Sequence, residues 1–307
     1  MSLVPAEEIR EKFGYFDIFS VRRAVQRHGI KSETKDGLFW VDYDEFYNYY
    51  ANKAPNQHTY FEKPDVEIYD KQFVIHADRA VVTCDWHAPF FDDWLANAML
   101  WVCKKFGVTT HICIGDLFDQ KTFSSFINYE TGDWNYEKQV ARSIGIVIEN
   151  NFDDSRYSVG NHDNRVFKRL MGKGDVKDVW EQTFGMDILD RVSEYPFIEL
   201  HSGGRKWLCG HPDTARIVPG TNARDLSNKY KGYNIMLAHG HQTAVVPDQS
   251  GEYRCVEIGG MMLPEAHAYK MRRLNKYPHW TPGFAIIVDG YEYIFQKKHT
   301  DWSYWLK

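Results

Sequence analysis

Thr109-Thr110-His111-Ile112-Cys113-Ile114-Gly115-Asp116-Leu117-Phe118-Asp119 decides how the rest of the chain is read. The run through Ile114 is apolar and β-branched, the pattern of a buried strand, and it stops at a glycine followed by carboxylates. The same pattern recurs. Ala80-Val81-Val82-Thr83-Cys84 runs into Asp85-Trp86-His87, and Tyr157-Ser158-Val159 into Gly160-Asn161-His162-Asp163. Trp207-Leu208-Cys209 runs into Gly210-His211, and Ile235-Met236-Leu237-Ala238 into His239-Gly240-His241. Between the earlier strands, Trp94 to Phe106 and Tyr136 to Asn150 have helical spacing. Alternating strands and helices predict a layered α/β sheet, and loops at the carboxyl ends of such strands converge on one crevice.

Outward from these segments, Phe73-Val74-Ile75 and Phe197 to Leu200 read as further strands. Phe284-Ala285-Ile286-Ile287-Val288, Asp289-Gly290 and Tyr291-Glu292-Tyr293-Ile294-Phe295 form a hairpin signal. The first fifty-odd residues differ in pattern. Val4, Ile9 and Phe13 would line a short helix ended by Gly14. Ile18, Val21 and Val25 mark a second, with Arg22, Arg23 and Arg27 elsewhere on it and Gly29 as its stop. Lys35-Asp36-Gly37 is a turn before the strand Leu38-Phe39-Trp40-Val41, and Asp44 would cap a helix holding Phe46, Tyr47 and Tyr50. Helix, helix, hairpin, helix is the order of a small winged helix-turn-helix. Ser20 to Gly29 resembles the second helix of excisionase-like and MerR-like DNA-binding modules. A helical cap with its arginines in solvent is the alternative, since residues 1–55 carry eight Lys/Arg and nine Asp/Glu. Asn52 to Gln57 reads as a linker, which gives a domain at 1–55 and a second at 60–307.

The composition allows this plan. With 307 residues, 43% of them hydrophobic, a sizeable core can form. A net charge of −5 argues against coating nucleic acid by bulk electrostatics and leaves local basic patches open. Cys84, Cys103, Cys113, Cys209 and Cys255 make no CxxC pair and read as reduced core residues. No apolar run reaches membrane-spanning length and no signal peptide is visible. The expectation is a soluble, cytoplasmic protein with no membrane partner.

The residue types at the strand ends fit metal chemistry. Asp85 and His87 stand two apart, so in extended chain they face one side. Carboxylate plus imidazole suits Mn, Fe, Zn or Ni better than Mg or Ca. Asp116 has two oxygens with which to bridge two cations about 3.5–4 Å apart, the spacing that activates water and clamps a phosphoryl group. Gly115, Gly160 and Gly240 would let backbone approach the metals and the phosphate.

The ordered set DxH, GDxxD, GNHD, an isolated His and HxH resembles the calcineurin-like metallophosphoesterase superfamily, over about residues 65–300. That resemblance implies a layered metallophosphoesterase β-sandwich flanked by helices. It implies two divalent cations, with manganese first and Fe, Zn or Ni as alternatives. Asp85, His87, Asp116 and His241 would hold one, and Asp116, Asn161, His211 and His239 the other. A bridging hydroxide would attack phosphorus in line. His162 would stabilise or protonate the leaving oxygen, Asp163 would orient His162, and Asp119 would stand behind the ligands. Ala238 replaces the leading glycine of the last motif. Gln120 stands where protein phosphatases of the superfamily carry arginine. His58, His76, His111, His201, His267, His279 and His299 read as structural or solvated.

The form Gly115-Asp116-Leu117-Phe118-Asp119 is similar to the second motif of the nuclease subunit of double-strand-break repair complexes. Gln120 to Phe126 and the helix leading to Gly160 resemble phage and prophage phosphoesterases, so the chain could act in a host cytoplasm. Tyr269 to Trp280 interleaves basic and aromatic residues, the types that track a nucleic-acid backbone; a solvated loop is the alternative. The expected activity is a phosphodiesterase or nuclease acting on DNA, RNA or a nucleotide, with DNA contact through Arg22, Arg23 and Arg27. The alternatives are a phosphomonoesterase, including a protein phosphatase, and a DNA-binding scaffold with a vestigial metal site.

Overall fold

In the strands of the C-terminal unit, alternate residues face different layers, and this alternation sets the architecture. Ala80 and Val82 of one strand point into a cluster with Trp207, Cys209 and Met236, while Val81 between them joins a second cluster with helical residues. The computed structural model describes residues 2–15, 17–52, 73–125, 132–170, 176–184, 188–193, 195–267 and 279–307. The chain divides into two compact units, Met1–Tyr69 and Asp70–Lys307.

The larger unit holds two sheets. The five-stranded sheet has the order β14-β13-β5-β6-β7, from Tyr291–Gln296, Gly283–Val288, Arg79–Thr83, Thr110–Ile114 and Asp154–Ser158. The strands β5, β6 and β7 run parallel, with Thr83 opposite Cys113 and Cys113 opposite Tyr157. The six-stranded sheet has the order β11-β12-β10-β9-β8-β4, from Ala244–Pro247, Arg254–Glu257, Asn234–Leu237, Arg205–Gly210, Phe197–Ser202 and Val74–His76. Within it β9, β10 and β12 are parallel. Each sheet therefore presents three neighbouring parallel strands, and the donor residues follow their carboxyl ends.

Ile112, Ile114, Ala285 and Ile287 pack between the sheets against Leu200, Trp207, Cys209, Met236 and Val256. The Trp207 indole donates to Gly290 O at 3.1 Å, which satisfies its one polar atom inside this core. The outer face of the five-stranded sheet is covered by α4 (Asp93–Phe106), α5 (Trp134–Asn151) and α7 (Val176–Phe184). Helix α8 (Thr221–Ser227) covers the six-stranded sheet through Ala223 on Leu208, Ile235 and Leu237. The order of layers is helices, sheet, sheet, helix. Asp92 caps α4 by accepting from Leu95 N, and Gly107 ends it in a left-handed turn. All five cysteines are buried and free. No helix among the described residues is long and apolar enough to cross a membrane.

In the smaller unit, strand β1 (Leu3–Pro5) leads to α1 (Ala6–Phe13) and α2 (Ile18–His28). The hairpin β2 (Ser32–Lys35) and β3 (Leu38–Asp42) follows, then α3 (Tyr43–Asn52). The sheet order is β1-β3-β2. Asp36 and Gly37 both have positive φ, the requirement of a tight hairpin turn. Two expectations are corrected here. Val4 belongs to a strand paired with Val41 rather than to the first helix. Asp42, not Asp44, caps α3, because its Oδ1 accepts from Glu45 N at 3.1 Å. The expected linker after Asn52 and the stretch from Tyr269 through Pro278 lie outside the described residues.

Candidate metal centre

Every predicted ligand lies on a loop that leaves a parallel strand. Asp85 and His87 follow β5, Asp116 follows β6 and Asn161 follows β7. His211 follows β9, and His239 and His241 follow β10. Asp85, His87, Asp116, His239 and His241 all have φ between 46° and 75°, a left-handed conformation that costs a non-glycine residue on the order of 1 kcal/mol. Strain concentrated on five donors marks a site whose backbone the surrounding fold holds in place.

The side chains gather into two sets. In the first, Asp85 Oδ1 lies 2.9 Å from His241 Nε2 and 3.6 Å from His87 Nε2. The two Nε2 atoms are 3.3 Å apart, and His87 Nε2 is 3.9 Å from Asp116 Oδ2. In the second, His211 Nε2 lies 3.3 Å from Asp116 Oδ2, 3.1 Å from Asn161 Oδ1 and 3.2 Å from His239 Nδ1. Asp116 Oδ2 belongs to both. Asp85 Oδ1 and Asp116 Oδ2 are buried and accept no hydrogen bond, though imidazole nitrogens surround them. Buried carboxylate oxygens without a donor are costly unless a cation completes them. The residues present therefore fit two divalent cations with mixed nitrogen and oxygen donors.

The remaining atoms of these side chains are held from behind. His162 N donates to Asp116 Oδ1 at 2.7 Å, leaving Oδ2 for the cluster. His87 Nδ1 meets Asp119 Oδ1 at 3.0 Å and His211 Nδ1 meets Ile114 O at 3.2 Å, which turns each Nε2 inward. Burial pushes His87 down, but Asp119, Asp85 and Asp116 overcome it and hold the ring up to about 10. His211 is likewise raised to about 9, against burial, by Asp116 and Asp85. Burial and the neighbouring His211 push His239 down to about 4. Protons on His87 and His211 must leave before a cation can bind there, so occupancy is linked to pH.

Asp163 requires a correction. Its carboxylate does not reach the His162 ring. Oδ2 accepts from Asp116 N at 2.7 Å and Gly160 N at 2.9 Å, and Oδ1 from Phe118 N at 3.0 Å. It is a clip that ties the loop after β6 to the loop after β7. Asp119 orients His162 instead, with Oδ1 3.0 Å from His162 Nδ1. Gln120 spends its amide on the same loops, donating to Asp163 O and accepting from Val166 N. Among the glycines, a Cβ on Gly160 would sit 2.1 Å from Asp116 Oδ1, so only glycine fits. Gly240 has room among the protein atoms, its Cβ meeting nothing closer than Glu257 Oε2 at 3.8 Å.

Three further residues neighbour the site, and none of them was expected there. Arg165 donates Nη1 to Asp119 O at 2.7 Å and Nη2 to His162 Nε2 at 2.8 Å. His267, expected to be structural or solvated, is buried with its ring 5.3 Å from that of His87. The Trp280 ring packs 4.5 Å from His241. His111 is structural as expected, buried with Nε2 2.9 Å from Thr83 Oγ1.

No family model matches the chain, and no curated protein matches it in sequence. Its structural neighbours include a metallophosphoesterase from Sphaerobacter thermophilus, at 13% identity and a TM-score of 0.38, covering 71% of this chain and 87% of that one. Vps29 from Chaetomium thermophilum aligns at 14% identity and a TM-score of 0.43, covering 72% and 91%. Vps29 from Entamoeba histolytica, solved in complex with Zn²⁺, aligns at 10% identity and a TM-score of 0.35, covering 71% and 97%.

Proposed function

We propose that the chain is a dinuclear metal-dependent phosphoester hydrolase that cleaves phosphodiesters of nucleic acid or nucleotides. One observation carries the reading: Asp116 Oδ2 is shared by two buried donor sets and accepts no hydrogen bond. Asp85, His87, Asp116 and His241 would hold one cation, and Asp116, Asn161, His211 and His239 the other. Manganese is the first candidate, with Fe, Zn or Ni also suited to these donors. When bound, two such cations supply Lewis acidity and an activated water at a clamped phosphoryl group. The chain's own part is positional. Asp163 and Gln120 lock the loops, and Asp119 fixes both His87 and His162. His162 would meet the leaving oxygen.

The step toward nucleic acid is supported by the smaller unit. Its connectivity and the sheet order β1-β3-β2 suit a winged helix-turn-helix. Helix α2 exposes Phe19, Arg23 and Arg27 at four-residue intervals along one face. Arg22 is the exception among the expected contacts, because its guanidinium stacks 4.8 Å from the Phe39 ring.

The test is hydrolysis with added Mn²⁺ of single- and double-stranded DNA, RNA, bis-p-nitrophenyl phosphate and p-nitrophenyl phosphate, alongside metal content by mass spectrometry. Diester cleavage with two bound cations is expected. Cleavage of monoesters alone would overturn the diesterase reading, and no activity with no bound metal would favour a scaffold.

A further inference from the structure

Arg165 lies in a setting that packing alone does not account for. Its side chain is 16% exposed, and it starts α6 (Arg165–Arg169) three residues beyond His162. The nearest carboxylate oxygen, Asp119 Oδ1, is 3.8 Å away and already engaged at 3.0 Å by both His87 Nδ1 and His162 Nδ1. The guanidinium instead bonds a backbone carbonyl, Asp119 O, and a ring nitrogen, His162 Nε2. Two of its five N–H donors are thus engaged, neither of them on an anion. Guanidinium forks match the oxygens of a carboxylate or phosphate, and a neutral imidazole nitrogen is a poor substitute for either.

The contact also defines His162. Arginine only donates, so Nε2 is an acceptor and Nδ1 carries the hydrogen toward Asp119. The His162 ring is 4.3 Å from that of His87. Arg165 therefore holds the ring that packs on His87 of the first donor set, and three of its five N–H donors are unengaged among the described residues.

We propose that Arg165 binds the non-bridging oxygens of the substrate's phosphoryl group, and that the contact with His162 Nε2 is the one the substrate replaces. The exchange gives the guanidinium an anionic partner and frees Nε2 to take up from solvent the proton that an acid facing the ester's leaving oxygen must carry. The substrate must then present a negatively charged phosphoryl group, whatever it carries on its other side. This rests on the phosphoester hydrolase reading.

The experiment compares the parent, Arg165→Ala and Arg165→Lys as full chains loaded with Mn²⁺. Metal content, the Kd of inorganic phosphate by calorimetry, and KM and kcat for bis-p-nitrophenyl phosphate are measured. Arg165→Ala should keep its metals while phosphate Kd and KM rise about 10–100-fold, with Arg165→Lys between it and the parent. Unchanged phosphate affinity in a metal-loaded Arg165→Ala would overturn the proposal and leave Arg165 as a prop for Asp119. If Arg165→Ala loses its metals, Arg165→Lys decides: loaded with weaker phosphate binding supports the proposal, and loaded with parental binding overturns it. A parent that takes up no Mn²⁺ and cleaves no ester fails at the earlier step, and the proposal falls with the hydrolase reading.

Discussion

Asp119 shows how much one side chain can organise without entering either donor set. Its Oδ1 meets His87 Nδ1 and His162 Nδ1, each at 3.0 Å, so one oxygen sets the direction of a proposed ligand and of the proposed acid. Asp119→Asn should lower both Mn²⁺ affinity and turnover about 10–100-fold, measured by calorimetry and steady-state kinetics. A loss in turnover alone would mean that His87 does not depend on it. Glu137 supplies a second test at this scale. Burial, and then the nearby Asp119, raise its carboxyl from 4.5 to about 8. The folded chain thus disfavours the ionised form. Stability is full below the unfolded value and falls as pH climbs from about 4.5 toward 8. Glu137→Gln, neutral at every pH, should match the parent near pH 4.5. It should exceed the parent by on the order of 2–4 kcal/mol above pH 8 in urea unfolding. An equal difference at both pH values would show that folding leaves the Glu137 carboxyl unshifted.

The strand-end loops show which parts of the site the sequence could reveal. An apolar run leads directly into a donor residue, with a glycine between them before Asp116, Asn161 and His211 and none before Asp85 and His239, so all five positions were legible from the run alone. Asp163 was paired with His162 as what the resemblance implies. On a tight turn adjacent side chains diverge, and its carboxylate reaches the backbone of the loop after β6 instead. Arg165 was silent because its contact with Asp119 O, forty-six positions away, arises only in the fold. Edge strand β11 and its partner β12 were missed because they have four residues each, β11 alternating between half-buried and exposed positions and β12 beginning and ending on the charged Arg254 and Glu257. Val4 fell on the wrong element because one apolar residue near a terminus fits strand and helix alike. The meeting of the loops after β6 and β7 yields a prediction. Gly160→Ala would drive its Cβ into Asp116 Oδ1 and Asp116 N. It should cost about 1–3 kcal/mol in chemical denaturation and abolish binding of the second Mn²⁺. Parental metal stoichiometry in this variant would show that the loops can separate.

At the scale of the whole molecule, the two units invite separate tests. In the smaller one, Arg23→Glu combined with Arg27→Glu should weaken binding to duplex DNA by at least about tenfold at low salt, read by gel shift. Hydrolysis of bis-p-nitrophenyl phosphate should stay at the parental rate, since that ester does not need the helix. Equal loss of both would mean that the pair acts on folding rather than on DNA. In the larger unit, the proposed ligands divide between the layers. Asp85, His87, Asp116 and Asn161 leave the five-stranded sheet, and His211, His239 and His241 leave the six-stranded one. Cations held there would rivet the two sheets at one end, so that neither could peel away without giving up its metal. Local opening would then be governed by free Mn²⁺ through mass action, about 2.7 kcal/mol per site at one hundred times Kd. Hydrogen–deuterium exchange at Ile114 and Ala238, which sit on opposite sheets, should slow together when Mn²⁺ is added and quicken together when it is chelated. Protection of one without the other would mean that the metals grip a single layer.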